Sequence, residues 1–130
     1  MTLEPKRGGI VLGAGSHLFF VPSHVASKVA PMPPLERVPG AHPDFVGITL
    51  FEGNILPVVS IGGARAAMLV IRYMGEPIGI VGADVVATGT FEAAGDGASV
   101  RHDAQTARPL DLAAIYARLQ AGSWAGRSRR

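Results

Sequence analysis

The sequence contains no cysteine. That excludes a disulfide scaffold, a thiolate-bound zinc and thiol catalysis. Aromatic residues are scarce, with one Trp, two Tyr and five Phe. Charged residues make up only 17% while 48% are hydrophobic, which excludes a charge-rich disordered linker. No apolar run approaches the ~18 residues that a membrane-spanning helix needs, so no direct membrane insertion is expected. Lys6 and Arg7 are not followed by an apolar core with a small-residue cleavage site, so no signal peptide is expected and the expected location is the cytoplasm. With 130 residues, the chain is too short for a TIM barrel or a two-half dinucleotide-binding enzyme. It suits one domain able to bury a core.

What the chain has in excess is turn residues. Its 17 glycines and 10 prolines are about a fifth of the residues, against about an eighth on average. Turns combined with abundant apolar residues predict short strands. Alternation places strands at Ile10 to Ala14 and His17 to Val21 around Gly15-Ser16. It places others at Val46 to Phe51 and Ile55 to Val59 around Glu52-Gly53-Asn54. A third hairpin joins Met68 to Tyr73 with Ile78 to Val81. Val85 to Phe91 is a further strand and Ala98 to His102 a weak one. Strand does not alternate with helix, which argues against βαβ units.

Ser23 to Val29 fits a short helical turn or a strand start. Pro31 to Pro43 must be an extended loop, because proline lacks a donor and restricts its neighbour. Asp111 can cap a helix whose apolar residues Leu112, Ile115, Tyr116 and Leu119 share one face. Gly122 is a plausible stop. Eight strands and one terminal helix predict a small all-β barrel or a pair of barrels. The expected organisation is a flexible N-terminus at 1–9, a domain at 10–122 and a flexible basic tail at 123–130. The domain is expected to hold two β subdomains, switching near 62–68.

No catalytic or metal site emerges, and no cofactor is expected. Leu12-Gly13-Ala14-Gly15-Ser16 holds G-x-G, but a strand follows it where a nucleotide site needs a helix. His17, His24, His42 and His102 lack zinc-ligand spacing. Asp84, Glu92, Asp96 and Asp103 are scattered, with no nucleophile–base set beside them. The net charge of +2 comes from the ends. Lys6, Arg7, Arg127, Arg129 and Arg130 lie outside Ile10 to Ala125, and Glu4 is the only acid that does. The body is therefore net acidic, which with so few aromatics makes a single-stranded nucleic-acid barrel the lesser alternative.

The ordered segments Val21-Pro22-Ser23-His24-Val25, Arg37-Val38-Pro39-Gly40, Phe45-Val46-Gly47-Ile48 and Leu56-Pro57-Val58-Val59 resemble the CheW-like domain. This is the coupling module of bacterial chemosensory arrays. Its members carry "R-V-P-G", "V-x-G-V-x-N-L-R-G" and "x-L-P-V-V-D-L" in this order. Leu69 to Val81 is similar to the family's second-barrel hairpin. Pro109-Leu110-Asp111-Leu112 to Tyr116 is similar to its closing helix. The resemblance implies two interlocked SH3-like five-stranded β-barrels with a C-terminal helix. It implies a non-catalytic scaffold or adaptor in signal transduction. The implied partners are a chemoreceptor signalling tip, the regulatory domain of a CheA-type histidine kinase, and other CheW-like proteins. No nucleic-acid partner is expected.

The residues that the resemblance assigns to partner binding are Val25, Val29, Arg37, Val38 and Gly40 near an inter-barrel groove, Glu52 and Gly53 at the turn, and Lys28 as the candidate counterpart of Glu52. Each valine is open to an ordinary core role instead. The chain departs from the pattern at several places. Leu50 stands for the motif Asn, Glu52 for its Arg, and Ser60 for the Asp of "V-V-D-L". Ala83 takes a further Asp position, with Asp84 one place later. Only Gly62 to Ala67 separate two strands that a longer stretch normally joins, so the chain is expected to be a divergent, shortened member binding both partners or only one. Lys28 falls where members often carry Glu. If that Glu faces the motif Arg, Lys28 and Glu52 would be the same pair with signs exchanged, or else two unrelated surface charges.

Overall fold

The computed structural model describes residues 6–63, 67–95 and 97–120. Strands β1 (Lys6–Ala14) and β2 (His17–Pro22) form the first hairpin. Its Gly15 has φ 63°, as a tight hairpin turn requires at its first central residue. β3 (Ala26–Pro31), β4 (Phe45–Phe51), β5 (Asn54–Ser60), β6 (Ala67–Tyr73) and β7 (Glu76–Val81) follow. The chain then forms β8 (Asp84–Ala94), β9 (Ser99–His102), β10 (Gln105–Pro109) and helix α1 (Leu112–Gln120).

β1, β2, β10, β9 and β8 close into a barrel in that order. β3, β6, β7, β5 and β4 form the second five-stranded unit. The two are interlocked, because the second is inserted between β2 and β8 of the first. This corrects the expected switch near 62–68: β5 and β6 belong to the same sheet. The chain crosses between units after Pro22 and again after Val81. Residues 6–9, expected in a flexible terminus, are the start of β1, where Lys6 to Gly9 pair with Glu92 to Gly89. The expected tail at 123–130 and the stop at Gly122 lie outside the described residues.

The second unit has a seam. Its edge strands β3 and β4 do not pair with each other. Instead the chain beyond β3 reaches back to β4 through a single bridge between Glu36 and Ile48, with both N–H···O bonds at 2.8 Å. The Pro31 to Pro43 stretch is thus a loop pinned at one point. Gly47 makes the pin possible: its φ is 155°, and a Cβ there would lie 2.6 Å from the Glu36 carbonyl oxygen.

Among the described residues, the apolar side chains form three clusters. Val11, Phe20, Val100 and Ala107 form the interior of the first barrel. Leu56, Val58, Met68, Val70 and Val81 fill the second unit. Between the units lies the largest cluster, including Leu12, Val21, Leu69, Ile71, Ile78, Ile80, Ile115 and Leu119. This explains the continuous run Met68-Leu69-Val70-Ile71. Met68 and Val70 face one cluster and Leu69 and Ile71 the other, so β6 is apolar on both faces.

Helix α1 forms as its periodicity predicts. Ile115 and Leu119 are buried, and the Asp111 carboxylate accepts the Ala114 N–H at 3.0 Å. Asp111→Ala removes this cap and is expected to cost about 0.5–2 kcal/mol. A thermal melt measures that cost, and Asp111→Asn, which keeps an acceptor, should recover most of it.

Candidate functional site

The assigned residues fall into two groups. The first surrounds the β4–β5 turn. Glu52 and Gly53 both have positive φ, 50° and 82°, the mirror-image turn that matches the twist of the flanking strands. A register shift in β3 between Ala26 and Lys28 marks a bulge, the usual device for re-aiming a side chain. The Lys28 ammonium forms an ion pair with the Glu52 carboxylate and stands 5.8 Å from the centroid of the Phe51 ring. The pair therefore bridges β3 to the end of β4, across the seam where the sheet itself does not close. It sits at the rim of a small cavity of about 80 Å³ that reaches inward to Leu56 and Val70. Both side chains are about half exposed, so the pair contributes about 0–1 kcal/mol to stability.

The second group lines a groove of about 750 Å³ between the proline-rich loop and the start of β4. Arg37, Val38 and Gly40 line it together with Leu35, His42 and Phe45. Its shape is set by local bonds. The Ala41 N–H donates to the Val38 carbonyl at 3.3 Å and the Phe45 N–H to the His42 carbonyl at 2.9 Å. The Asp44 N–H donates to His42 Nδ1 at 3.1 Å. Helix α1 braces the same loop, with Arg118 Nε 3.6 Å from the Asp44 carboxylate.

Two assigned valines belong to neither group. Val25 packs against the cluster between the units, and its carbonyl accepts the Arg72 N–H at 2.9 Å. It is half-buried against that cluster and does not line the groove. Val29 is exposed on β3 opposite Leu69 and does not line the groove.

The structure adds residues that the sequence had not singled out as sites. Leu50 and Ile55 are 70% and 60% exposed and stand directly opposite each other on the β4–β5 hairpin. They place an apolar pair on the strands just outside Glu52-Gly53. Both occupy strand positions that alternation alone would assign to a buried face. Only the absence of a covering layer at that end of the hairpin leaves them out.

Among the described residues, no group of three or more His, Asp or Glu side chains is placed to hold a metal ion. Nor is any described helix long and apolar enough to cross a membrane.

The architecture matches the SH3-like double-barrel fold: among the described residues, ten strands form two interlocked five-stranded units, one closed and one with a seam, followed by a C-terminal helix. Among solved structures, the chain is similar to scaffolding protein TtCheW from Thermoanaerobacter tengcongensis, with a TM-score of 0.67 at 13% sequence identity. The likeness covers 86% of this chain and 87% of that one. The near-equal shares make the two chains similar in length, so the short Gly62 to Ala67 connection is not a shortfall of the whole chain against this structure. No family model matches the sequence, and no curated protein does. At this identity the likeness establishes the fold.

Proposed function

We propose that the chain is a non-catalytic adaptor of a bacterial chemosensory complex, acting in the cytoplasm. The observation that carries this is the double-barrel fold shared with a scaffolding CheW protein over most of both chains. The ordered sequence motifs support it, since Arg37-Val38-Pro39-Gly40 lines a groove and the Glu52-Gly53 turn abuts an exposed apolar pair. In this reading the groove takes the helical tip of a chemoreceptor, with Val38 giving apolar contact and Arg37 setting register. A barrel face takes the regulatory domain of a CheA-type kinase or another CheW-like protein. Val29 and Leu50 extend the apolar surface around the seam.

The Lys28–Glu52 pair serves partner choice. A surface pair of this exposure adds little stability, while charges at an interface discriminate strongly between partners. The altered Ser60 and Ala83 positions favour engagement of a reduced set of partners.

The test is titration calorimetry of the full chain with a receptor signalling tip and, separately, with a CheA regulatory domain. At least one should bind. Lys28→Glu and Glu52→Lys should each weaken that binding about tenfold, and the double exchange should recover most of the loss, since ~1.4 kcal/mol is tenfold in affinity. Binding of neither partner overturns the adaptor reading. A double variant that binds no better than the singles removes the pair from partner choice.

A further inference from the structure

The turn His42-Pro43-Asp44-Phe45 serves two cavities at once. His42 and Phe45 line the groove beside Arg37 and Val38. Asp44 lines a second cavity, of about 360 Å³, together with Ser60, Asp111 and Arg118. Backbone bonds hold the turn at both ends. The Phe45 N–H donates to the His42 carbonyl at 2.9 Å, and the Ser60 N–H of β5 donates to the Asp44 carbonyl at 2.8 Å.

A third bond in this turn depends on protonation. The Asp44 N–H donates to His42 Nδ1 at 3.1 Å. An accepting ring nitrogen carries no proton, so the imidazole is neutral with its hydrogen on Nε2. The Asp44 Oδ2 atom lies 3.9 Å from Nδ1, beyond hydrogen-bond distance. The same oxygen lies 3.6 Å from Arg118 Nε on α1. Histidine ordinarily changes charge between pH 5 and 8. A proton added at Nδ1 sets donor against donor at the Asp44 N–H, and that bond is lost. The carboxylate then offers the new proton an acceptor. Charge-assisted bonds are about 2.7–2.9 Å long, so the 3.9 Å gap has to close by about 1 Å. The other charged groups around the turn are Arg37 across the groove, and Arg118 and Asp111 from α1 and its cap on the side of the second cavity. Arginine keeps its charge throughout this range, and carboxylates ordinarily titrate below it. His42 is therefore the group that changes.

We propose that His42 and Asp44 form a proton-operated switch in the wall of the groove. With His42 neutral, the imidazole closes the turn on the Asp44 N–H while the Asp44 carboxylate faces Arg118. With His42 protonated, the Asp44 N–H is released and the imidazolium takes the carboxylate that α1 also uses. One oxygen atom thereby couples the loop to the helix. Because Nδ1 must accept, the closed turn is present above the histidine range and is lost as pH falls through it. The groove with Arg37, Val38 and Gly40 in its lining is the form that goes with the neutral ring. The switch belongs to the loop itself, whichever partner fills the groove.

An NMR titration of the full chain from pH 8 to pH 5 tests this. The Asp44 amide and the Arg118 Nε–H resonances should shift together, with the midpoint of the His42 ring. His42→Asn separates the switch from other effects of pH, since an asparagine side chain bonds the backbone two residues on and does not titrate. It should keep the pH 8 spectrum of the loop and abolish both shifts. Asp44→Asn removes the shared carboxylate. In that variant the amide at position 44 should still respond to pH while Arg118 Nε–H no longer does. A His42 ring that does not titrate in this range overturns the proposal. So does a ring that titrates while the Asp44 amide or Arg118 Nε–H stays still, and so do shifts that persist in His42→Asn.

Discussion

Phe20→Ala is expected to lower the unfolding free energy by about 3–5 kcal/mol, measured by denaturant titration. Phe20 is fully buried at the centre of the first barrel. Its ring meets Phe91 edge-on, with centroids 6.1 Å apart, and the Arg7 guanidinium lies 5.3 Å from its centroid. Truncation removes the largest fully buried side chain among the described residues and leaves a cavity that the barrel cannot collapse. Closed strand pairing on both sides of β2 holds its walls in place. Small domains have about 5–15 kcal/mol in total, so this one change should consume a large part of the margin. Phe20→Leu, which refills most of the volume, should lose clearly less. If Phe20→Ala costs under about 1 kcal/mol, the barrel interior is not packed as described.

Ile71→Ala probes the junction and not either interior. Ile71 is fully buried in the cluster between the units. The expected loss is about 2–5 kcal/mol. Its form matters as much as its size. Because both units and α1 contribute to that cluster, they should unfold in a single transition in the variant as in the parent chain. Amide exchange resolves this: amides in β1 and in β6 should lose protection together. Separate transitions for the two units would show that the interlocking does not couple them.

The same cluster explains why some elements were legible in the sequence and others were not. The hairpins were legible because a turn residue and two alternating runs are local signals, as at Gly15 and at Glu52-Gly53. The helix was legible because its cap and its apolar face lie within one stretch of nine residues and the residue before it. β10 was missed because in Gln105–Pro109 only Ala107 is buried. Nothing in that pattern marks a strand. It exists because β9 and β2 supply ladders on its two sides. β3 was ambiguous for the same reason, since no residue in it is fully buried.

The candidate site divides along the same line. The resemblance brought Lys28 and Glu52 together across 24 residues of sequence, and the pair is present. It could not tell that Val25 packs inward while Val29 stays exposed. Val25 lies in the turn before β3, against the cluster between the units, whereas Val29 lies within the edge strand, and that placement is tertiary. Leu50 and Ile55 escaped for the converse reason: their pattern matches that of buried strand residues, and only the missing cover distinguishes them.

The absence of cysteine and the shortage of charge and aromatics, together with the many turn residues, were enough to determine a small turn-rich β domain without thiol or disulfide chemistry. They followed from the sequence alone because composition and local periodicity need no distant partner. The tertiary structure alone decided where the chain passes between the two units, which strand edges leave a seam, and that an ion pair spans it. Those features depend on contacts between residues far apart in sequence, and local pattern carries no information about which distant strand will supply the second side of a ladder.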